Sequence, residues 1–407
     1  MVFTNENSGV KPCVLIHCQY VYGIGHFVRT VELARSISMS FNVIILNGGE
    51  PVPNYCIPPD VSCVQLPAIY KLEHADGLVP VDKSQSLEAC FAARLSIIES
   101  VLNQITPAIL ITEHFPFGLL FEAEAIAMIA KIKQLNRNAK IVCSVRDIVE
   151  SSNGGKQDNQ TCDLLNHWFD MVLVHGDEKV IPFFASFPMV GKIKIPVINT
   201  GYIVKEIIAT KSSSERPTIL VSIGGGRLGQ ELLYAVIHAQ DIVTRHWPHR
   251  LIIFTGAFQD NIQQLHDLAK LNLSNDITIK CFDEKEYRET LPTVSGIICL
   301  GGYNTLVEAV SAQLPILVYS RKFHGSNEEQ ALRLKFFELN GLIRVISPDD
   351  LSSKLLSAKI LEFRDYRKKS STHVRFDGTE NTRRILEQVL HDQINEAQPL
   401  ESIGFSN

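Results

Sequence analysis

Short apolar runs alternate with amphipathic segments of helical length along most of the chain. Apolar runs bounded by turn residues are typical of buried strands, and the longer segments are typical of helices that connect parallel strands. In the first half of the chain the predicted strands are residues 13–18, 42–46, 109–112, 140–144 and 171–175. The predicted helices there are residues 26–38, 86–103 and 118–136. The polar stretch 150–161 is interpreted as a mobile loop.

A second alternation of the same kind follows a polar, serine-rich stretch at residues 208–217. Its predicted strands are residues 218–223, 251–255, 277–281, 297–300, 316–319 and 343–346. The pattern predicts an α/β fold with two Rossmann-like, doubly wound parallel-sheet domains that face a shared cleft. The predicted divisions are an N-terminal domain (1–207), a linker (208–217), a second domain (218–375), a C-terminal helix (376–394) and a disordered tail (395–407).

Composition narrows the classes of partner. The chain is 45% hydrophobic and 20% charged, and its net charge of −5 provides no general attraction to nucleic acid or to an anionic membrane. No apolar run approaches the ~18 residues that cross a bilayer, and the N-terminus lacks the features of a signal peptide. The nine cysteines show no CxxC spacing, which favours free thiols in a reducing compartment. We therefore expect a cytoplasmic protein without a nucleic-acid partner, in contact with the inner face of the membrane at most peripherally.

The predicted strands of both halves end in glycine and charged residues, and doubly wound sheets bind ligands at that edge. Gly23-Ile24-Gly25-His26 follows the first strand and opens the first helix. The glycines allow a ligand to approach the helix N-terminus, and His26 could act as a general base at neutral pH. The alternative is a glycine turn capped by an exposed histidine. The motif is not a dinucleotide fingerprint, because Val28 stands where GxGxxG has its third glycine.

Four charged residues join His26 as candidates on this side. Arg29 lies one turn further along the helix, and Glu113, Arg146 and Asp147 lie at predicted strand ends. Glu113 and Asp147 could contact an acceptor molecule. They could equally cap the helices that follow, as acids at strand ends often do.

The second half offers a glycine-rich turn directly after its first strand. Gly224-Gly225-Gly226 is a candidate cradle for a diphosphate, and Arg227 could add positive charge. A tight strand-to-helix turn is the alternative interpretation. The chain has no GxxxxGK[ST] motif, which argues against a P-loop kinase or ATPase.

Another glycine turn, Gly301-Gly302, lies between an apolar run and a helix. Glu308 in that helix could accept hydrogen bonds from the vicinal hydroxyls of a ribose, although in isolation it would be interpreted as a solvated residue. Further candidates for nucleotide-sugar binding are Asn304, Thr305, Glu329 and Gln330. No DxD carboxylate pair follows a strand, and no His/Cys cluster has metal-ligand spacing. We therefore expect no catalytic metal and no other cofactor.

Taken together, both halves resemble the GT-B glycosyltransferases, specifically the family 28 type that includes the peptidoglycan UDP-N-acetylglucosamine transferase. The resemblance covers about residues 11–390 and is strongest over residues 218–346. The segments 113–118, 144–147 and 174–177, with the glycine-histidine turn, more closely resemble a family of predicted bacterial glycosyltransferases. The peptidoglycan enzyme has a first loop richer in glycine, and it has paired glutamines where this chain has Glu329-Gln330. These departures leave the identity of the sugars open.

The resemblance implies a role for each candidate position. His26 would be the base on the acceptor side, and residues 224–226 would lie beside the diphosphate of the donor. The backbone near Phe282 would contact the nucleotide base, Glu308 the ribose, and residues 329–330 the donor sugar.

The resulting expectation is a metal-independent, inverting glycosyltransferase. It would move a sugar, with N-acetylglucosamine as one candidate, from a UDP-sugar donor to an unidentified acceptor, which could be a small molecule, a glycan or a lipid-linked compound. The turn from Gly23 to Arg29 also resembles the GxGHxxR turn of UDP-sugar hydrolases, in which water is the acceptor. A UDP-sugar 2-epimerase and a non-enzymatic nucleotide-sugar-binding regulatory protein are the remaining alternatives.

Overall fold

A computed structural model describes residues 11–21, 23–71, 77–204, 216–225, 228–259, 262–273, 276–321, 328–364 and 373–397. Most of the predicted linker lies outside these ranges, as do Gly226, Arg227 and the tail beyond residue 397. The proposed domain divisions therefore stay predictions.

The strands and helices of the first half follow the predicted alternation. Its strands are β1 (Cys13–Cys18), β2 (Asn42–Asn47), β3 (Val61–Gln65), β4 (Ile69–Lys71), β5 (Leu78–Pro80), β6 (Ile109–Glu113), β7 (Lys140–Arg146), β8 (Met171–His175) and β9 (Val197–Asn199). Its helices are α1 (Gly25–Ile37), α2 (Leu87–Leu102), α3 (Glu122–Leu135) and α4 (Lys156–Trp168).

The second half repeats the alternation. Its strands are β10 (Thr218–Ser222), β11 (Arg250–Phe254), β12 (Ile277–Lys280), β13 (Gly296–Leu300), β14 (Ile316–Tyr319) and β15 (Arg344–Ile346). Its helices are α5 (Gln230–His246), α6 (Ile262–Lys270), α7 (Glu284–Thr290), α8 (Tyr303–Ser311), α9 (Glu328–Leu339), α10 (Ser353–Arg364) and α11 (Gly378–Ala397).

The strands form two large sheets with the order of doubly wound folds. The first sheet runs β3-β2-β1-β6-β7-β8-β9 and the second runs β12-β11-β10-β13-β14-β15, with parallel pairing throughout. In each sheet the strand order reverses once, between β1 and β6 and between β10 and β13. Ligands of such folds bind at this switch point, beyond the carboxyl ends of the strands. The predicted α/β fold class is confirmed.

Apolar side chains cover both faces of each sheet, as buried parallel strands require. Val14 and Ile16 of β1 pack on the side of α1, whereas Leu15 packs among the residues of α2 and α3 on the opposite side. The second sheet is enclosed in the same way by α5 and α10 on one face and α8 on the other. Because side chains alternate between the two faces along a strand, each side chain at a strand end lies on one defined face of its sheet.

One predicted loop is wrong in its second half. The stretch 150–161 enters a helix at residue 156, where α4 begins. Asp158 fixes this start, because its carboxylate accepts hydrogen bonds from the backbone N–H groups of Ser152 at 2.8 Å and Gly154 at 2.7 Å. The Ser151 hydroxyl donates to the same carboxylate at 2.7 Å. Short-range polar contacts therefore order a segment whose composition is typical of a loop.

The chain crosses between the two sheets twice, at residues 200–204 and at residues 373–378. The two crossings touch each other: the N–H of Tyr202 donates to the carbonyl of Arg375 at 2.9 Å, and the N–H of Gly378 donates to the carbonyl of Tyr202 at 3.1 Å. After the second crossing α11 packs against α1, and Leu386 is buried in the core of the first half. None of the helices in the described ranges is long and apolar enough to span a membrane.

Candidate active site

A cleft of about 1730 Å³ lies between the carboxyl edges of the two sheets. Six of the predicted residues line its first wall, which belongs to the first half of the chain: Gly23, Gly25, His26, Arg29, Glu113 and Arg146. The second wall contains Gly224, Gly225, Phe282, Gly302, Asn304, Thr305, Glu308, Glu329 and Gln330. The two switch points thus bring most of the predicted residues to one cavity.

Two predicted residues in the described ranges do not reach the cleft. Asp147 is 1% exposed, and its carboxylate is bound by the guanidinium of Arg333, with Nη2 to Oδ1 at 2.7 Å and Nε to Oδ2 at 3.0 Å. Gly301 is buried, and a Cβ atom there would lie 3.1 Å from Cδ2 of Leu334. Both residues support the wall from behind.

On the first wall, the imidazole of His26 is held by a buried carboxylate. His26 lies in the first turn of α1, and Glu113 is the last residue of β6, across the switch point. Nδ1 of His26 is 2.9 Å from Oε1 of Glu113. The same carboxylate forms an ion pair with Arg29 and accepts a hydrogen bond at Oε2 from the hydroxyl of Ser144 at 3.0 Å. Because a carboxylate so surrounded by donors is ionised, we assign the proton of His26 to Nδ1, which leaves Nε2 with a free lone pair.

Several groups around His26 favour its neutral form. Burial lowers the pKa of His26 well below its ordinary value, and the positive charges of Arg146 and Arg29 lower it further. The neighbouring imidazole of His114, with its ring centroid 5.3 Å away, has a pKa lowered to about 3, chiefly by burial. At neutral pH the imidazole is therefore unprotonated, with the Nε2 lone pair that a general base requires.

The second wall contains the backbone of two glycine segments that precede helices, one ahead of α5 and one at the start of α8. Gly224 and Gly225 follow β10 and precede α5, and Gly224 has a φ of +68°, a conformation that glycine adopts without strain. Gly302 is the N-cap of α8, and within the described ranges no heavy atom beyond its chain neighbours lies within 4 Å of the position that a Cβ would take. The first N–H groups of a helix lack partners within the helix, so such turns offer donors to an anion.

Glu308 is the main carboxylate among the predicted residues of this wall. It lies on α8, in a cluster with the guanidinium of Arg288 and the carboxylates of Glu32 and Glu284. Burial raises the pKa of Glu308 to about 7; Arg288 opposes the shift, and the two other carboxylates add to it. Arg288 is shared, since it pairs with Glu284 at 2.6 Å and also with Glu32 of the first wall.

Glu329 lies between two guanidinium groups in this structure. Oε2 is 2.6 Å from Nη2 of Arg146 on the first wall, and Oε1 is 2.6 Å from Nη2 of Arg333, one turn along α9. Burial alone would raise the pKa of Glu329, but the two arginines outweigh it and hold the pKa below its ordinary value. The carboxylate therefore connects the two walls as well as lining the cleft.

The chain matches no protein-family model and no curated protein sequence. Many solved structures share its fold. UGT2 of Phytolacca americana, complexed with UDP-2-fluoro-glucose and pterostilbene, superposes with a TM-score of 0.57 at 14% identity, over 96% of each chain. MurG of Acinetobacter baumannii has a TM-score of 0.52 at 11% identity, over 93% of this chain and 99% of that one. The fold is GT-B.

A third GT-B neighbour is a Listeria monocytogenes protein assigned provisionally as a UDP-N-acetylglucosamine 2-epimerase. Its TM-score is 0.58 at 13% identity, over 97% of this chain and 100% of that one. At such identities the neighbours establish the arrangement of the two sheets, and the chemistry has to be argued from the side chains of this chain.

Sequence reasoning missed four residues that shape this GT-B cleft: Ser144, Arg288, Tyr303 and Arg333. Arg333 had a detectable signal, since it stands four residues after Glu329, a spacing that brings opposite charges together on a helix. The other three depend on contacts between distant parts of the chain. Among the described residues no group of three or more His, Cys, Asp or Glu side chains is arranged to hold a metal ion.

Proposed function

We propose that this chain is a metal-independent, inverting glycosyltransferase that moves a sugar from a UDP-sugar to the hydroxyl of an acceptor. One observation carries the proposal. The neutral His26, held by Glu113, faces the same cleft as two glycine turns that open helices α5 and α8. A proton acceptor and an anion-binding wall are the two components that such a transfer needs.

The first wall would carry the proton transfer. Nε2 of His26 takes the proton of the acceptor hydroxyl as its oxygen attacks the anomeric carbon. Glu113 stabilises the imidazolium that forms and keeps the ring in the required tautomer, the role that a buried acid has beside a catalytic histidine. Gly23 and Gly25 leave room for the acceptor beside His26, and Arg146 contributes positive charge at the same edge.

The second wall would hold the donor and its leaving group. As the bond between the anomeric carbon and the diphosphate breaks, negative charge develops on the diphosphate, and the N-terminus of α5 beyond Gly225 stabilises it. Gly226 and Arg227, outside the described residues, are proposed to contribute to the same cradle. Glu308 would accept hydrogen bonds from the ribose, and Gln330 would contact the sugar, with Glu329 beside it.

The GT-B neighbours support the choice of donor. The Phytolacca americana protein was crystallised with a UDP-sugar analogue, and the Listeria monocytogenes protein is named for a UDP-sugar. We extend that donor class to this chain because its second wall has the same position in the fold. We also propose that the chain is of the family 28 type, with N-acetylglucosamine as one candidate for the transferred sugar.

A second candidate is a reaction of the UDP-sugar without a separate acceptor, either hydrolysis or 2-epimerisation. The Listeria monocytogenes neighbour favours its inclusion, and so does the turn from Gly23 to Arg29. The same His26 would then move a proton of water or of the sugar itself.

The experiment has two steps. A thermal-shift series with UDP, GDP, UDP-glucose and UDP-N-acetylglucosamine identifies the nucleotide, and we expect stabilisation by the uridine compounds. The preferred UDP-sugar is then incubated with the protein alone, and UDP, free sugar and epimer are measured. Slow release of UDP that depends on His26 supports a transferase awaiting its acceptor. Rapid turnover without an acceptor would establish the second candidate, and failure of every uridine nucleotide to bind would refute the proposal.

A further inference from the structure

Helix α8, which would bind the sugar nucleotide, also contacts the loop before His26 on the opposite wall of the cleft. Tyr303 and Asn304 are the first two residues of α8. Nδ2 of Asn304 donates a hydrogen bond to the carbonyl oxygen of Gly25 at 3.0 Å. Gly25 directly precedes His26, so this contact fixes the peptide that joins the two residues. The sequence predicted Asn304 to contact the sugar nucleotide. In the structure its side-chain amide is bound to the backbone of the opposite wall instead.

Tyr303 provides a second contact between the walls. Its ring lies between two guanidinium groups, with the central carbon of Arg29 at 5.4 Å and that of Arg333 at 5.7 Å from the ring centroid. Its hydroxyl donates to the carbonyl of His175 at 2.7 Å and accepts from the N–H of Ile203 at 3.2 Å. With only 4% of its surface exposed, Tyr303 is anchored from both sides.

Arg29 connects Tyr303 to the His26–Glu113 pair. Its side chain is 2% exposed and forms an ion pair with Glu113, whose same carboxylate oxygen is 2.9 Å from Nδ1 of His26. The Tyr303 ring covers the guanidinium of Arg29 and keeps water from it. The ring thus acts on Arg29, Arg29 on Glu113, and Glu113 on His26.

We propose that Tyr303 and Asn304 are positioning residues that hold the His26–Glu113 pair in place from the opposite domain. The inference deepens the proposed function, on which the role of His26 as a base rests. Its consequence is that one short helix sets both the donor site, through Gly302 and Glu308, and the orientation of the base. Donor and base then share one rigid frame of reference, which is what an in-line attack requires.

The pKa of His26 distinguishes a positioning role from a purely structural one, because a purely structural contact would leave that pKa unchanged. The charged and titratable groups that face His26 are Arg29 of α1, Glu113 of β6, His114, Arg146 of β7 and Glu329 of α9. Loss of the Tyr303 ring admits water to Arg29 and to His26. Because burial is the largest cause of the low pKa of His26, we expect its proton affinity to rise.

The experiment uses the full chain labelled with ¹⁵N-histidine. The signal of His26 is identified by its loss in His26→Gln and is followed through a pH titration by NMR. In Tyr303→Leu and in Asn304→Ala we expect His26 to bind a proton at least about tenfold more tightly than in the wild type. Tyr303→Phe keeps the ring and is expected to restore the wild-type titration. Tyr234→Phe is the matched control: it removes a hydroxyl on α5 that donates to Gln264 of α6, away from the His26 network.

UDP affinity is measured on the same variants by calorimetry. It is expected to change less than the His26 titration, since the Asn304 amide is bound to the carbonyl of Gly25 and Tyr303 is buried. A His26 titration in Asn304→Ala and Tyr303→Leu that matches the wild type would overturn the inference. Should Tyr303→Leu fail to fold, Asn304→Ala decides alone, because its side chain is partly exposed. If the wild type does not bind UDP, the proposed function fails, whereas a changed titration still establishes the positioning role.

Discussion

The two walls of the cleft are built by different means. The first wall presents side chains joined in a network: His26, Glu113, Arg29 and Ser144 come from three separate elements and fix one another. The second wall presents backbone, at the glycine turns before α5 and α8, with Glu308 set behind them. A network of charges can tune and move a proton, whereas fixed N–H groups can only receive an anion. Under the proposed function, this contrast places the proton transfer on the first wall and donor recognition on the second.

The largest effect is expected for Glu113→Gln, which tests the role of the first wall. The amide cannot balance the charge of an imidazolium and leaves Arg29 without its counter-ion, so we expect turnover to fall about 10³-fold. UDP affinity should stay near wild type, because the donor is proposed to bind the other wall. Release of UDP and calorimetry measure the two quantities, and Glu122→Gln on the surface of α3 is the control. A variant that loses UDP binding along with turnover would contradict the division between the walls.

Asp147→Ala tests whether the network of the first wall extends behind the cleft. The substitution leaves the buried guanidinium of Arg333 without its main partner, and breaking a buried pair from one side costs about 3 kcal/mol of unfolding free energy. Urea unfolding measures the loss, and Asp147→Ala combined with Arg333→Met should recover part of it. Equal destabilisation of the single and double variants would mean that the pair contributes little beyond packing.

Glu308→Gln tests the carboxylate of the second wall through pH. Its pKa is about 7 in the folded protein, against an ordinary value of 4.5. Between these values the unfolded chain releases the proton first, so stability falls as pH rises through the window and the full cost is present above it. The neutral amide removes that cost. We therefore expect Glu308→Gln to gain about 1–2 kcal/mol near pH 8 and nothing near pH 4, measured by urea unfolding.

The smallest expected effect is that of Phe282→Leu. The second wall is proposed to contact the nucleotide base with backbone near Phe282, so the side chain should matter little. UDP affinity is expected to change less than about threefold, and stability to fall by less than about 1.5 kcal/mol for an apolar exchange of similar volume. Calorimetry with UDP provides the check. A tenfold loss of affinity would show that the second wall also recognises its ligand with side chains.

The difference between the walls also explains what could be predicted from the sequence. Gly224, Gly225, Gly302 and His26 each stand beside a strand end in the chain, and local pattern alone placed them at the edge of a sheet. The pairs that make the first wall work join residues far apart in sequence. Glu113 follows His26 by 87 positions, and Arg333 follows Asp147 by 186. No local spacing encodes such partners, because the topology of the folded chain brings them together.

Helix α4 shows a different limit of prediction from the sequence. Its first turn is polar, and the pattern of apolar residues therefore favoured a loop over residues 150–161. The decisive contribution is the cap that Asp158 provides to Ser151, Ser152 and Gly154, a set of bonds within eight residues. The strands β3, β4, β5 and β9 were missed because their side chains are only partly buried, and β4, β5 and β9 have just three residues each.

The two crossings of the chain have a consequence for how the halves can be separated. A single proteolytic cut at residues 205–217 would give two fragments with no covalent bond between them, but α11 of the second fragment would remain packed on α1 of the first. The crossings are also bonded to each other, through Tyr202, Arg375 and Gly378. We therefore expect a rotation of one half against the other to be centred on these bonded segments. The cut protein should therefore migrate as one particle in gel filtration while appearing as two fragments after denaturation.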